Sequence, residues 1–243
     1  QSAAQAAAPA ALREGAGWDT PARQVISASF TISFAGASQE ALATTALASL
    51  DSAYWRMGAL LGTLPNQPIP VVIYTHEEFA DATQSPAWAT GTYDGTIRVP
   101  IPGALEDPAE FERVLAHEVA HALVHTLAPR GVPAWLDEGL ATALESTDLR
   151  WAERCVGEAP ARVPLQTLTA GFSRLSGDQA QLAYATSALA ARWLLDTAGG
   201  GAVANLLRDL DEGVGLEAAF LHRIQRPLAD LQTSGGMVPA FRP

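Results

Sequence analysis

At 243 residues the chain is long enough for one sizeable core, or for one domain with two lobes. Its 48% hydrophobic and 17% charged residues exclude a disordered chain, and no apolar run approaches the roughly 20 residues that span a bilayer. A net charge of −11 argues against a nucleic-acid partner, because binding phosphates takes a basic face. All 15 basic residues are arginine, which points to a GC-rich, bacterial genome and carries no functional signal.

Residues 1–23 are rich in Ala, Gln, Pro and Gly and read as a flexible lead-in. The first residue is not Met, which fits a processed chain, and such spacers favour export (periplasmic or secreted) over the cytoplasm. Residues 24–243 are then expected to form a single domain, with an α/β part over 24–128 and a helical part over 129–243. "QVISASFTISF" (24–34) has β-branched and aromatic residues at strand spacing. Ser38 opens a helix whose apolar residues Leu42, Ala46, Leu50, Tyr54, Met57 and Leu61 share one face, and Gly62 stops it.

"VVIYT" (71–75) reads as a buried strand. "THEEFADA" has no second histidine four residues after His76, so it reads as a loop or the start of a short helix. "WATGTYDGTIRVPI" (88–101) predicts two short strands turning at Asp94–Gly95. In the second strand Ile97, Val99 and Ile101 face one way, and Thr96, Arg98 and Pro100 the other. Pro100 cannot donate to a ladder, which places this strand at a sheet edge.

Asp107, Pro108 and Glu110 form a helix start of capping-box type, with proline at the first helical position. That helix should run to about Leu127, roughly 30 Å. A second helix is expected from Leu136, short helices and loops after it, and a buried helix over 178–199. Two further helical patterns lie around 202–210 and 216–222. Cys155 is the only cysteine; with no activating pattern around it, it reads as a small buried hydrophobe.

Within the long helix, "HEVAH" places His117 and His121 four residues apart and therefore on one face, able to point at a single ion. Glu118 is offset by about 100° around the axis and could take a proton from a metal-activated water. A third ligand is available on the next helix at Glu138, with Asp137 as competitor. Glu138 is preferred because Leu140 or Ala141 and Leu144 face the core and leave it on the metal side. Two imidazoles and a carboxylate, with a fourth position open, make a catalytic zinc set rather than a closed structural one. His125 shares the histidine face but cannot easily converge on the same ion. Thr142, Glu145 and Asp137 could each hydrogen-bond a ligand imidazole.

"VLAHEVAHAL" followed by "PAWLDEGLA" resembles the gluzincin metallopeptidases, and among them the compact bacterial peptidase-MA-like families. The likeness covers roughly residues 30–220 and is specific around 117–141. It implies an α+β, zincin-like fold with an N-terminal mixed sheet, an active-site helix and a C-terminal helical lobe. It implies one Zn2+ per chain on His117, His121 and Glu138, Glu118 as general base and acid, and a peptide or protein substrate. It also implies that the edge strand, through Thr96, Ile97, Arg98 and Val99, holds substrate by strand addition. In related aminopeptidases a helical-lobe tyrosine stabilises the oxyanion, and Tyr184 lies at a matching place. The G-A-M-E-N segment of that branch is missing here. The expected activity is zinc-dependent peptide hydrolysis; the alternative is a zincin-shaped domain that binds without catalysis.

Overall fold

The computed structural model describes residues 22–83, 91–100, 107–161, 163–172 and 175–233. The β-rich stretch near the start forms two strands, β1 (Ala22–Ile26) and β2 (Phe30–Ala35), paired antiparallel from Ala22↔Ala35 to Ile26↔Thr31. Ser27 makes the reversal, its Oγ accepting from the backbone N–H groups of Ser29 and Phe30 at 3.1 Å each. Short hydroxyl side chains favour such local turns, so what reads as one strand folds back on itself. Ala22 and Arg23 belong to β1 and not to a lead-in; residues 1–21 lie outside the described residues.

Helix α1 (Glu40–Leu61) buries Ala43, Ala46, Leu50, Tyr54, Met57 and Leu61, and ends at Gly62 in the left-handed conformation (φ 65°). Leu42 stays half-buried and Ala43 takes its place in the core. Strand β3 (Ile69–Tyr74) lies parallel beside β2. Helix α2 (His76–Thr83) follows, started by a reciprocal cap: Thr75 N–H donates to Glu78 Oε2 at 2.7 Å and Glu78 N–H to Thr75 Oγ1 at 3.3 Å.

Strands β4 (Thr92–Tyr93) and β5 (Ile97–Pro100) form the expected hairpin, with Gly95 at φ 99° in its turn. The five strands order β1-β2-β3-β5-β4. β5 is therefore not the edge. It pairs parallel with β3 on one side, and Ile97 and Arg98 pair antiparallel with Tyr93 and Thr92 on the other. Ile97 and Val99 are fully buried, as their alternation predicts. Among the described residues β4 pairing stops at Arg98, and Pro100 stands opposite Tyr74 of β3; 84–90 and Ile101 fall outside them.

Helix α3 (Pro108–Leu127) starts as expected, with Asp107 accepting from the N–H groups of Ala109 and Glu110 at 3.1 Å. Glu110 does not complete a box; its carboxylate pairs with Arg113 instead. Helix α4 (Ala134–Glu145) begins two residues earlier than Leu136, because Pro133 serves as its N-cap and the carbonyls of Leu168 and Thr169 accept from Trp135 and Ala134 N–H. Then come α5 (Arg150–Glu158), α6 (Gly177–Asp211, broken at Gly199 with φ 79°), α7 (Leu216–Ile224) and α8 (Leu228–Thr233). Cys155 is half-buried on α5.

One contiguous apolar core joins the sheet, α1, α3, α4 and α6. α4 packs most extensively on α6, and closely: a Cβ on Gly139 would lie 2.4 Å from the carbonyl oxygen of Ser187. Only glycine lets the two backbones approach this far, and the approach fixes where the neighbouring Glu138 sits relative to Tyr184 on α6. A mixed sheet in the first half and helices in the second give the expected α+β architecture. Among the described residues no helix is long and apolar enough to cross a membrane.

Candidate metal centre

His117 and His121 lie one turn apart on α3, and their rings meet edge to face at 4.8 Å and 77°. Each Nδ1 is held by a carboxylate of α4: His117 to Glu145 Oε2 at 2.6 Å, His121 to Asp137 Oδ1 at 2.9 Å. A carboxylate only accepts, so each Nδ1 carries a proton, and Nε2 is the atom each imidazole can offer to a metal. Those two Nε2 atoms converge on one oxygen, Glu138 Oε2, at 3.5 and 3.7 Å. One ligand atom from each of His117, His121 and Glu138 lies within 4.8 Å of the other two. Two imidazole nitrogens with tautomers already set, and one carboxylate, suit a divalent ion that keeps further positions open.

Without an ion, burial depresses the His117 imidazole, but hydrogen bonds to Glu138 and Glu145 outweigh it and push its pKa up to about 10. The balance at His121 is the same in kind: burial lowers it, and the Asp137 hydrogen bond more than reverses that. The carboxylate cage thus stores positive charge when metal-free, which is what a cation site does.

Glu118 points beside this cluster. It is 4% exposed, and among the described residues Oε2 has no hydrogen-bond partner. Burial raises its pKa, against the lowering pull of the His121 and His117 charges. A buried carboxylate oxygen without a partner is costly unless something in the site uses it. Its opposite wall is Gly91, just ahead of β4, where an added Cβ would come within 2.6 Å of Glu118 Oε1.

Two cavities meet here. One, of about 470 Å³, is walled by Val114, Thr142, Trp151 and Arg113. The other, of about 410 Å³, is walled by Thr92, Tyr93, Asp137 and Glu138. Gly91, His117, Glu118 and Tyr184 border both. Burial raises the Tyr184 phenol pKa first, and the nearby charges of Glu138 and Glu118 raise it further. Its ring packs edge-on against Phe172 at 5.1 Å.

The residues expected on β5 stand elsewhere. Ile97 and Val99 point into the core, and Arg98 pairs with Asp94 and Tyr74. The strand that lines the cleft is β4, with Gly91 just ahead of it; Thr96 sits in the turn before β5 and borders neither cavity. His125 is exposed, packs its ring edge against Tyr93 at 5.9 Å, and takes no part in the ligand cluster. Of the three candidates for orienting an imidazole, Glu145 and Asp137 do so, while Thr142 lines the larger cavity. Arg113 and Gly91 were not anticipated. The available signal for Arg113 was its place four residues before His117 on the same helix face.

The sequence profile of the peptidase MA superfamily matches residues 48–233, more than half of the chain. The chain belongs to the peptidase MA superfamily. Membership carries a metallopeptidase kind of function acting on peptides or proteins, and the matched span takes in β3, the β4–β5 hairpin and all the helices from α2 onward. The β1–β2 hairpin precedes it. No curated protein matches the chain.

Proposed function

We propose that this superfamily member is a zinc-dependent metallopeptidase that hydrolyses peptide bonds, with one Zn2+ per chain held by His117, His121 and Glu138. The observation that carries the reading is the convergence of both Nε2 atoms on Glu138 while both Nδ1 atoms are held by carboxylates. The ion supplies Lewis-acid polarisation and a water acidic enough to ionise near neutrality. Glu118 does the proton work: its unpartnered Oε2 accepts the proton of the attacking water and hands it to the departing amide nitrogen. Its raised proton affinity suits a group that must hold that proton between the two steps. The Tyr184 hydroxyl, bordering both cavities, donates to the carbonyl oxygen as charge develops there. Its raised pKa keeps the donor proton in place.

The substrate-holding edge shifts from Thr96–Val99 to β4. The outer edge of Thr92–Tyr93 is the one that faces the cleft, and an extended peptide would add to the sheet there. The test is Glu118→Gln, which keeps shape and removes the base. Hydrolysis of a mixed peptide library should fall by about 10²–10⁴-fold with zinc content unchanged. An unchanged rate would show that Glu118 does not carry the proton.

A further inference from the structure

The last carbonyls of a helix have no partner within it. At the C-terminal end of α4 these groups are taken by arginines from two other helices. Arg56 of α1 donates from Nη1 to Leu144 O at 2.8 Å. Arg192 of α6 donates from Nη2 to Ala143 O, and to Ser146 O at 3.1 Å. A third guanidinium, Arg113 of α3, grips a side chain at the same helix end. Its Nη1 donates to Glu145 Oε1, while its other nitrogens hold both oxygens of Glu110.

Glu145 is the link. Its side chain is 3% exposed, with Oε1 on Arg113 and Oε2 on His117 Nδ1. Both carboxylate oxygens are therefore committed, one to each neighbour on α3, and the plane of the carboxylate sets the plane of the imidazole. Rotating Glu145 about its last bond would break both contacts at once. The other ligand imidazole is held differently. The Asp137 side chain that orients His121 is 38% exposed, and among the described residues no arginine is its hydrogen-bond or ion-pair partner. The His117 ring is thus held by a buried, cross-braced carboxylate, and the His121 ring by a half-exposed one.

We propose that Arg113 is a positioning residue of the metal site. Through Glu145 it fixes the His117 ring and so sets metal affinity, while Arg56 and Arg192 hold the helix end from which Glu145 projects. The inference rests on the reading of His117 as a ligand. Arg113 does not touch the ion in this scheme, and its pair with Glu110, a half-exposed i,i+3 contact, would by itself contribute little. What gives Arg113 a role is that its second carboxylate is buried and shared with a ligand.

A double-mutant cycle tests this on the full chain, with zinc affinity read by competition against a chromophoric chelator. Glu145→Ala should weaken zinc binding by about 10–100-fold, the usual effect of losing a carboxylate behind a ligand histidine. Arg113→Ala, one bond further out, should weaken it by a smaller factor of about 3–10 in the wild-type background and not at all in the Glu145→Ala background. The visible spectrum of the cobalt-loaded protein should also change in Arg113→Ala, since it reports ligand geometry and not fold stability. Arg223→Ala breaks a two-pronged pair with Asp209 between α6 and α7 and should leave zinc affinity unchanged. Should Arg113→Ala fail to fold, Arg113→Lys and Glu145→Gln complete the same cycle.

Equal loss from Arg113→Ala in both backgrounds, or no loss in either, would overturn the proposal. So would a raised KM with unchanged zinc affinity, which would make Arg113 a substrate contact. Absence of zinc uptake by the wild-type chain would instead sink the metallopeptidase reading itself, and this inference with it.

Discussion

Gly91→Ala is the sharpest probe of how Glu118 is held. The added Cβ would stand 2.6 Å from Glu118 Oε1, 3.1 Å from its Cδ and 3.0 Å from Val114 Cγ1. Ordinary contact begins at about 3.4 Å, so the carboxylate oxygen must retreat by about 0.8 Å. It would have to turn toward the cavities that it borders, away from its place between α3 and the wall ahead of β4. The Gly91 backbone is not in the left-handed region, so alanine adds no backbone strain and the cost falls on the carboxylate. A misplacement of about 1 Å at a reacting group costs about 10²-fold in rate. We therefore expect kcat on an internally quenched peptide to fall on the order of 10²-fold, with zinc content and melting temperature near wild type. Wild-type kcat in a folded, zinc-loaded Gly91→Ala protein would refute the placement of Glu118 as the base against this wall.

Four further outcomes follow from the same geometry. Asp137→Ala removes the acceptor of His121 Nδ1, and zinc affinity measured by chelator competition should drop about 10–100-fold. The metal-free His117 pKa of about 10 means that binding an ion near neutrality must displace a proton. Apparent zinc affinity should then rise about tenfold per pH unit between pH 7 and 9, with proton release visible by calorimetry in two buffers; a flat profile would contradict the carboxylate cage. Because that folded pKa lies above the ordinary 6.5, its stabilisation of the metal-free protein is fully present below pH 6.5 and is lost as pH rises through about 10. The metal-free melting temperature should decline over that window. Tyr184→Phe keeps the packing on Phe172 and removes the hydroxyl; kcat should fall about 10²–10³-fold at constant zinc content, and an unchanged kcat would remove the tyrosine from the reaction.

How far the site could be read in advance depended on whether the information was local. The i,i+4 spacing of His117 and His121, the Asp107–Pro108 start and the Gly62 stop are written within single helices, and they reappear residue for residue in α1 and α3. Glu138 and Asp137 are adjacent on α4, yet the helix presents Glu138 between the two Nε2 atoms and Asp137 to the far side of His121. That division matches what the burial of Leu140, Ala141 and Leu144 predicts. The β4–β5 hairpin was legible from Asp94–Gly95, but not which of its strands lies outermost. Pro100 pointed to β5, whereas β5 is drawn inward by its parallel pairing to β3, a contact no local pattern encodes. The turn at Ser27 was hidden because serine is tolerated in strands as well as in turns. Arg113 and Gly91 matter through neighbours 32 and 27 positions away, Glu145 and Glu118, and only the folded chain brings those pairs together.

The most direct test of the metallopeptidase reading is the metal content of the chain purified without chelator or added metal, set beside that of Glu138→Ala. About one zinc per wild-type chain, with retention lost or weakened in the variant, is the predicted result. A wild-type chain that carries no metal and takes up none when zinc is supplied would contradict it.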